Sequence, residues 1–320
     1  MDKLINYNKM LNLKNLKILL TGGHGFVGTK VYQELIKHGA KEKNISRPRS
    51  RELDLRVAEN CAKAVKNKDV VIHLAANVGG IGYNREHPGK LFYDNAIMGI
   101  NMIEQARKAK VKKFVQVGTV CAYPKFTPVP FKETDLWNGY PEETNAPYGN
   151  AKKMLMEMLQ AYRSEYGFNG IYLLPTNLYG PNDNFDPNSS HVIPALIKKF
   201  VEAMENHDEQ VVVWGTGKAS REFLYVDDAV RAIVMATLKY DKSEPVNLGS
   251  ANEIKIKELV TLIGKIVGFG GKIVWDKTKP DGQPRRKLDV SRAKKEFGFV
   301  SKVDFKTGLK KTIEWYKNTL

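Results

Sequence analysis

The chain has 320 residues, 51 of them Lys or Arg and 35 Asp or Glu, which gives a formal net charge of +16. Two cysteines are too few for a disulfide framework and fit a reducing cytoplasm. No apolar run reaches the roughly eighteen residues of a membrane span, and no metal-ligand cluster is visible. The basic surplus suits anionic ligands, but nucleic acid, the rival partner, is disfavoured because the cations are dispersed and no recognition module is present.

The N-terminal part begins with a polar, Lys-rich stretch, residues 1–14, which is predicted to be a loose extension without the apolar core of a signal peptide. An apolar strand starting at Lys17 then leads into glycines at three-residue spacing and an amphipathic segment. Such glycines allow a tight turn and a close approach to a pyrophosphate at a helix N-terminus. The alternative is an ordinary strand-turn-helix. We predict a dinucleotide site formed by Gly22, Gly25, Phe26, Val27 and Gly28.

The segment after the second predicted strand indicates which dinucleotide binds. NAD enzymes usually place an acidic side chain here against the ribose 2′-hydroxyl, whereas arginine accommodates a 2′-phosphate. No acid precedes Glu52, and Arg47 and Arg49 are available. NADPH is therefore favoured over NADH, the alternative being a solvated basic loop. Asp54 and Leu55 are predicted to border the adenine.

Strands and long helices then alternate through the first half of the chain. Small residues, Ala75 and Ala76, follow one strand and leave room for a cofactor. This alternation predicts an α/β fold with a doubly wound parallel Rossmann sheet. The predicted dinucleotide domain spans 15–175 plus 224–246, and a smaller interleaved substrate lobe spans 176–223 plus 247–320. The elements behind this prediction are strands 69–74, 113–117 and 170–175 and helices 92–109 and 148–166.

A Tyr and a Lys four residues apart, Tyr148 and Lys152, fall on one face of a predicted helix. An ammonium beside a phenol is expected to lower the tyrosine pKa, so that Tyr148 exchanges a proton with a carbonyl oxygen near neutral pH. Thr119, after a strand end, offers a hydroxyl to the same oxygen. The alternative is a solvated Lys beside a half-buried Tyr. Cys121 is a thiol that ketone reduction alone does not need.

Several longer motifs identify the chain more closely. They are Val78-Gly79-Gly80-Ile81, 118–125, 147–152, 175–181, 188–196, and Val213-Trp214-Gly215 followed by 221–224. With these motifs the chain, from about Lys17 to its C-terminus, resembles the extended short-chain dehydrogenases/reductases, and among them the GDP-L-fucose synthases. That resemblance implies a cytoplasmic homodimer that reduces a GDP-linked 4-keto sugar with NADPH.

The resemblance also implies the catalytic roles. Thr119, Tyr148 and Lys152 would serve reduction, and Cys121 and His191 would serve epimerisation. A 4-keto group acidifies the protons at C3 and C5, so a thiolate can remove one and a histidine can return one on the other face. The alternatives are that Cys121 is a small buried residue and that His191 is a surface helix cap. The other cysteine, Cys61, is predicted to lie in the core.

The same resemblance points to substrate contacts and leaves some questions open. Trp214 and Arg221 have structural alternatives, as a core residue and as a surface ion pair. Thr119 stands where the family more often has Ser, and His24 where relatives have an arginine for the 2′-phosphate. The runner-up function is epimerisation or 4-reduction of another nucleotide 4-keto sugar, such as a GDP-heptose or a dideoxy sugar. The predicted substrate-binding residues are Val78, Gly79, Asn177, His191, Lys199, Trp214, Arg221 and Arg285.

Overall fold

The computed structural model describes residues 11–320, so most of the predicted extension lies outside the described residues. Its described end packs against the body of the protein, because Leu13 is buried and the Leu11 N–H donates to the Leu238 carbonyl. The strands are β1 (Ile18–Thr21), β2 (Ile45–Ser46), β3 (Val70–His73), β4 (Lys113–Val117), β5 (Gly170–Pro175), β6 (Asn177–Tyr179), β7 (Gln210–Trp214), β8 (Ser220–Tyr225), β9 (Val246–Leu248), β10 (Glu253–Lys255) and β11 (Lys272–Asp276).

Helices connect these strands. Two of them begin directly after a glycine, one after Gly25 and one after Gly80. The helices are α1 (Phe26–Lys37), α2 (Ala58–Val65), α3 (Ile81–Glu86), α4 (Pro88–Lys108), α5 (Ala146–Tyr166), α6 (Val192–Glu205), α7 (Val226–Lys239), α8 (Ile256–Val267), α9 (Ser291–Phe297) and α10 (Phe305–Lys317).

The central sheet has six strands in the order β2-β1-β3-β4-β5-β9, and every neighbouring pair is parallel. The strand order reverses between β1 and β3, since β2 lies on the far side of β1. Ligands of such sheets bind beyond the carboxyl ends of the strands at this reversal. The predicted doubly wound Rossmann sheet is confirmed.

Helices cover both faces of the sheet, so its strands are buried apolar runs. Ile18 and Leu20 of β1 point into a core shared with α1, α7 and α9, whereas Leu19 points into a core shared with α2, α4 and α5. Cys61 of α2 lies in the second core, fully buried, with its thiol donating to the Leu55 carbonyl. Burial raises the pKa of this thiol to about 12.

The C-terminal part builds a second, smaller body around its own apolar core. This lobe contains the three-stranded β10-β8-β6 sheet, the β11-β7 pair, and helices α6, α8 and α10. The predicted boundary at residue 246 falls inside β9, whose Leu248 pairs with Pro175 in the central sheet. Helix α9 also packs with the first body, because Phe297 joins the core formed by α1 and α7. No helix within residues 11–320 combines the length and apolarity needed to cross a membrane.

Candidate active site

A cavity of about 1070 Å³ runs from the carboxyl ends of β1, β3 and β4 into the C-terminal lobe. It brings together residues that are far apart in the chain, and it is lined by nearly all of the predicted site residues. Two predicted residues, Arg47 and Arg285, do not line it. The predicted residues that do are Gly22, Gly25, Phe26, Val27, Gly28, Arg49, Asp54, Leu55, Ala75, Ala76, Val78, Gly79, Thr119, Cys121, Tyr148, Lys152, Asn177, His191, Lys199, Trp214 and Arg221.

The glycines at the end of β1 leave room for a ligand and for close packing. Gly22 has φ +67°, and a Cβ there would lie 2.9 Å from the Ala75 nitrogen. A Cβ on Gly28 would lie 2.1 Å from the Gly22 carbonyl oxygen, so only glycine lets α1 approach β1 this closely. Phe26, Val27 and Gly28 of the first turn of α1 line the cavity. The N–H groups of a first helical turn have no partner within the helix, so they fit a pyrophosphate bound there.

The two predicted arginines of the cofactor site differ in position. Arg49 is exposed at the cavity wall. The Arg47 guanidinium instead lies 3.5 Å from the Tyr32 ring centroid and donates to the Gly23 carbonyl, and Arg47 does not line the cavity. His24 lines the cavity, and its Nε2 lies 2.9 Å from the Arg47 carbonyl oxygen. Arg49 and His24 therefore line the cavity and Arg47 does not, and a contact between Arg47 and the cofactor stays a prediction.

The predicted reductase residues form one buried group. Tyr148 and Lys152 lie in the first turns of α5, and Lys152 is 2% exposed. Thr119 precedes the short 3₁₀ helix Val120–Ala122 and accepts the Cys121 N–H through Oγ1 at 3.1 Å. The Thr119 hydroxyl is also hydrogen-bonded to Tyr148. Hydroxyl, phenol and ammonium thus surround one end of the cavity.

The pKa values in this group differ from the expectation. Burial raises the pKa of Tyr148 above its usual range and Cys121 adds to this, whereas the hydrogen bond with Thr119 lowers it. Burial also lowers the pKa of Lys152 to about 8. The expectation of a net lowering of the Tyr148 pKa is therefore wrong, because desolvation of the buried phenol is the largest effect on it. A protonated Tyr148 is the form that a proton donor to a ketone oxygen requires.

Cys121 is held next to α5 by another glycine. A Cβ on Gly149 would lie 2.3 Å from the Cys121 carbonyl oxygen, so glycine is required for the strand end and the helix to meet here. The Cys121 thiol is partly exposed to the cavity. Arg286 Nη1 lies 3.8 Å from its Sγ. The thiol is therefore accessible to a ligand and has a cation beside it.

His191 enters the same cavity from the lobe. It immediately precedes α6 and is exposed within the cavity, although protein atoms surround it closely. Desolvation lowers the pKa of its imidazole, and the charge of Arg286 lowers it further. Once protonated, such an imidazole gives up its proton readily.

Of the predicted substrate cations, Arg285 does not line the cavity, whereas its neighbour Arg286 does. Arg285 is exposed and forms an ion pair with Glu253 at 2.6 Å, outside the cavity. Arg286 is 5% exposed and lines the cavity. The sequence contains a signal for this difference. In an extended segment, residues two apart share a face, so Arg286 lies on the same face as the apolar Leu288 and Arg285 lies on the other.

The lobe end of the cavity has an aromatic ring and further cations. Trp214 at the end of β7 is half exposed, and Lys199 Nζ and Lys279 Nζ lie 5.8 and 5.3 Å from its ring centroid. Arg221 is buried, and its guanidinium donates to the carbonyls of Ser220, Gln283 and Asp281. An exposed ring beside cations suits a nucleotide base and its phosphates.

Two polar features of the cavity wall were missed from the sequence. Asn145, just before α5, donates to Glu142 and accepts from Asn84, and both asparagines line the cavity. Asp183, in the loop after β6, has an Oδ2 atom without a hydrogen-bond partner among residues 11–320. Burial raises the pKa of Asp183 to about 7. No sequence motif points to Asn145 or Asp183, since each lies in a loop that only the tertiary fold brings to the cavity.

One cavity contains both a glycine-rich turn at a helix N-terminus and a buried Thr-Tyr-Lys group. This combination defines the short-chain dehydrogenase/reductase class. Residues 18–249 match the family model described as the NAD dependent epimerase/dehydratase family. The chain is 43% identical over 305 residues to GDP-L-fucose synthase 1 of Arabidopsis thaliana, which covers 95% of this chain and 94% of that protein. The chain therefore belongs to the NAD dependent epimerase/dehydratase family, and it is an enzyme.

Solved structures agree with this assignment. A GDP-6-OMe-4-keto-L-xylo-heptose reductase from C. jejuni superposes with a TM-score of 0.88 at 30% identity, covering 96% of this chain and 99% of that one. A GDP-L-fucose synthetase from Naegleria fowleri bound to NADP superposes with a TM-score of 0.86 at 28% identity, covering 98% and 97%. These relatives include both the predicted activity and its runner-up.

Proposed function

We propose that the chain is an NADPH-dependent enzyme that epimerises GDP-4-keto-6-deoxymannose at C3 and C5 and reduces it at C4 to GDP-L-fucose. The observation that carries the proposal is that Cys121 and His191 line the same cavity as Thr119, Tyr148 and Lys152. A plain reductase needs only the last three. The sequence likeness to a GDP-L-fucose synthase supports the choice of sugar.

In the epimerisation, the thiolate of Cys121 accepts a proton from the carbon next to the ketone. The electrons of that C–H bond move toward the C4 oxygen, where the hydroxyls of Tyr148 and Thr119 stabilise the developing charge. His191 then donates a proton to the opposite face of the same carbon, which inverts it. The keto group is regained, so neither oxidant nor reductant is consumed.

In the reduction, Tyr148 donates its proton to the C4 oxygen. Bound NADPH supplies the hydride that reduces the ketone. The residues that fit the dinucleotide are the α1 N-terminus, Gly22 and Gly28 for the pyrophosphate and Arg49 for a 2′-phosphate. The Lys152 ammonium, with its pKa lowered to about 8, is mostly charged at neutral pH and favours phenolate formation after the proton leaves.

NADPH is expected to be used at least about ten-fold more efficiently than NADH, because Arg49 offers the planar donor fork that matches a phosphate. Arg49→Glu should remove most of that preference. Arg51→Glu is the matched control, since Arg51 is a neighbouring exposed arginine that does not line the cavity. Steady-state kcat/KM with both nicotinamides gives the ratio. Equal efficiency of NADH and NADPH in the wild-type enzyme would contradict the cofactor assignment.

The alternative substrate is a GDP-linked 4-keto heptose, supported by the likeness to a heptose reductase. The two proposals differ at C6, so turnover should be compared with GDP-4-keto-6-deoxymannose and with a GDP-4-keto-heptose at equal concentration. We expect the 6-deoxy sugar to have the higher kcat/KM. A higher value for the heptose would replace the proposed substrate with the runner-up.

We also propose that the enzyme is a cytoplasmic homodimer formed through α4 and α5, which pack side by side. Phe92 and Tyr93 of α4 and Met154 of α5 are large apolar residues with 42, 60 and 36% exposure. Sedimentation equilibrium should give twice the 36.1 kDa chain mass, and Met154→Asp should shift it to the monomer. Val300→Asp, at an exposed valine in a loop, is the control. A wild-type protein that sediments as a monomer would rule out the proposed homodimer.

A further inference from the structure

The environment of Arg286 differs from that of an ordinary buried arginine. Its Nε donates to Gln283 Oε1 at 3.0 Å, and its Nη1 donates to Asn177 Oδ1 at 3.2 Å and lies 3.8 Å from Cys121 Sγ. The first two acceptors are neutral amides. The guanidinium is therefore fixed by two side chains that supply no negative charge.

The segment around Arg286 is itself tightly anchored. The Leu288 N–H donates to the buried Glu222 carboxylate at 2.6 Å, and the Lys287 carbonyl accepts the Phe131 N–H. Gln283 is 2% exposed and donates to the Pro124 and Lys125 carbonyls. These contacts connect the segment to both bodies of the protein and leave the guanidinium little freedom to turn away from the cavity.

A buried cation with only neutral partners is costly, so an anion beside it is strongly favoured. The second buried arginine of this wall, Arg221, lies close enough to Arg286 to repel it, and the Glu142 and Asp281 carboxylates near Arg221 offset part of this positive charge. The Cys121 sulfur, 3.8 Å from Arg286 Nη1, can carry a negative charge as a thiolate once its proton leaves to solvent. An ion pair between Arg286 and the thiolate would relieve the unpaired charge.

We propose that Arg286 is a positioning residue that holds Cys121 as a thiolate, ready to remove a proton from carbon. The inference rests on the proposed function, since a base is needed only for epimerisation. It assigns to Arg286 a role in the carbon-acid half of the reaction and none in hydride transfer. Asn177 and Gln283 would act by fixing the direction of the guanidinium.

The test measures thiol reactivity without any sugar. The full-length protein is treated with iodoacetamide at pH 7 and low salt, and alkylation of each cysteine is followed by peptide mass spectrometry. Arg286→Gln is expected to slow Cys121 alkylation about ten-fold, because loss of an adjacent cation disfavours the thiolate. Arg286→Lys keeps a charge but loses the planar fork, so its rate of Cys121 alkylation should lie between those of the wild-type protein and Arg286→Gln.

Matched controls are available in the same chain. Arg285→Gln changes the neighbouring, exposed arginine and should leave Cys121 alkylation unchanged. Cys61 is the internal standard, since its buried thiol has a pKa of about 12 and should remain unmodified unless the protein unfolds. If Arg286→Gln exposes Cys61, the comparison is made with Arg286→Lys instead.

An Arg286→Gln rate equal to wild type would overturn the inference. If the Arg286→Gln variant keeps the wild-type alkylation rate and also loses much of its affinity for GDP in calorimetry, Arg286 is a nucleotide ligand and not a positioning residue for Cys121. Failure of the proposed function would appear elsewhere, as solvent exchange at C3 and C5 of the keto sugar that does not depend on Cys121. The alkylation rates would then still show whether Arg286 controls the thiol.

Discussion

Tyr148→Phe is expected to slow ketone reduction about a thousand-fold, since a positioned general acid typically contributes 10²- to 10⁴-fold. Phenylalanine retains the packing of this buried side chain and removes only the hydroxyl that Thr119 contacts. NADPH affinity should stay near the wild-type value. Single-turnover oxidation of NADPH with the GDP-4-keto sugar gives the rate, and a fluorescence titration gives the affinity.

A second tyrosine serves as the control for this variant. Tyr123 is equally buried and loses a hydrogen bond to Asn247 when changed to Phe, but it does not line the cavity. Tyr123→Phe should therefore lower the melting temperature without changing the rate constant of reduction. Retention of most of the reductase rate in Tyr148→Phe would end the assignment of Tyr148 as the proton donor.

Cys121→Ser is expected to slow deuterium exchange at C3 and C5 of the keto sugar at least about a hundred-fold, because a hydroxyl is a far weaker acid than a thiol and its conjugate base is scarce at neutral pH. Tyr148, Lys152 and Thr119 are unchanged, so this variant should still reduce the unepimerised ketone. The measurement is proton NMR in deuterated water, with and without NADPH. The product should then be a GDP sugar that is not inverted at C3 or C5.

His191→Asn separates removal of the proton from its return. This variant should still begin exchange through Cys121, but protonation on the opposite face should be impaired, so deuterium enters without inversion. Cys61→Ala is the control for the cysteine variant, since Cys61 lies in the core behind α2. If Cys121→Ser exchanges deuterium at C3 and C5 at the wild-type rate, the Cys121 thiol has only a packing role and the chain is a plain 4-ketoreductase.

The sheet could be predicted because each of its signals is local. An apolar strand before the glycines and a helix after them occupy one continuous stretch from Ile18 to Lys37, and backbone sterics alone require glycine at Gly22 and Gly28. Tyr148 and Lys152 likewise share one helix face whatever surrounds them. The predicted roles of Cys121 and His191 depended on the longer family motifs, because the turn after β4 and the start of α6 are far apart in the chain.

The structure differs from expectation where a side chain's position or burial depends on distant residues. Arg47 and Arg49 are equivalent in the sequence, but Tyr32 of α1 provides a ring on which Arg47 packs. Arg285 and Arg286 are adjacent, and the pairing of Arg285 with Glu253 of β10 holds Arg285 outside the cavity. The pKa of Tyr148 was misjudged because burial cannot be read from a spacing of four residues.

The central claim is that one site both inverts and reduces the same sugar. The most direct test incubates the wild-type protein with GDP-4-keto-6-deoxy-D-mannose and NADPH and determines the configuration of the product by proton NMR. We predict GDP-L-fucose, inverted at C3 and C5 and reduced at C4, with one NADPH oxidised per sugar. A GDP-6-deoxy-D-hexose that is reduced at C4 but keeps its original C3 and C5 centres would contradict the account.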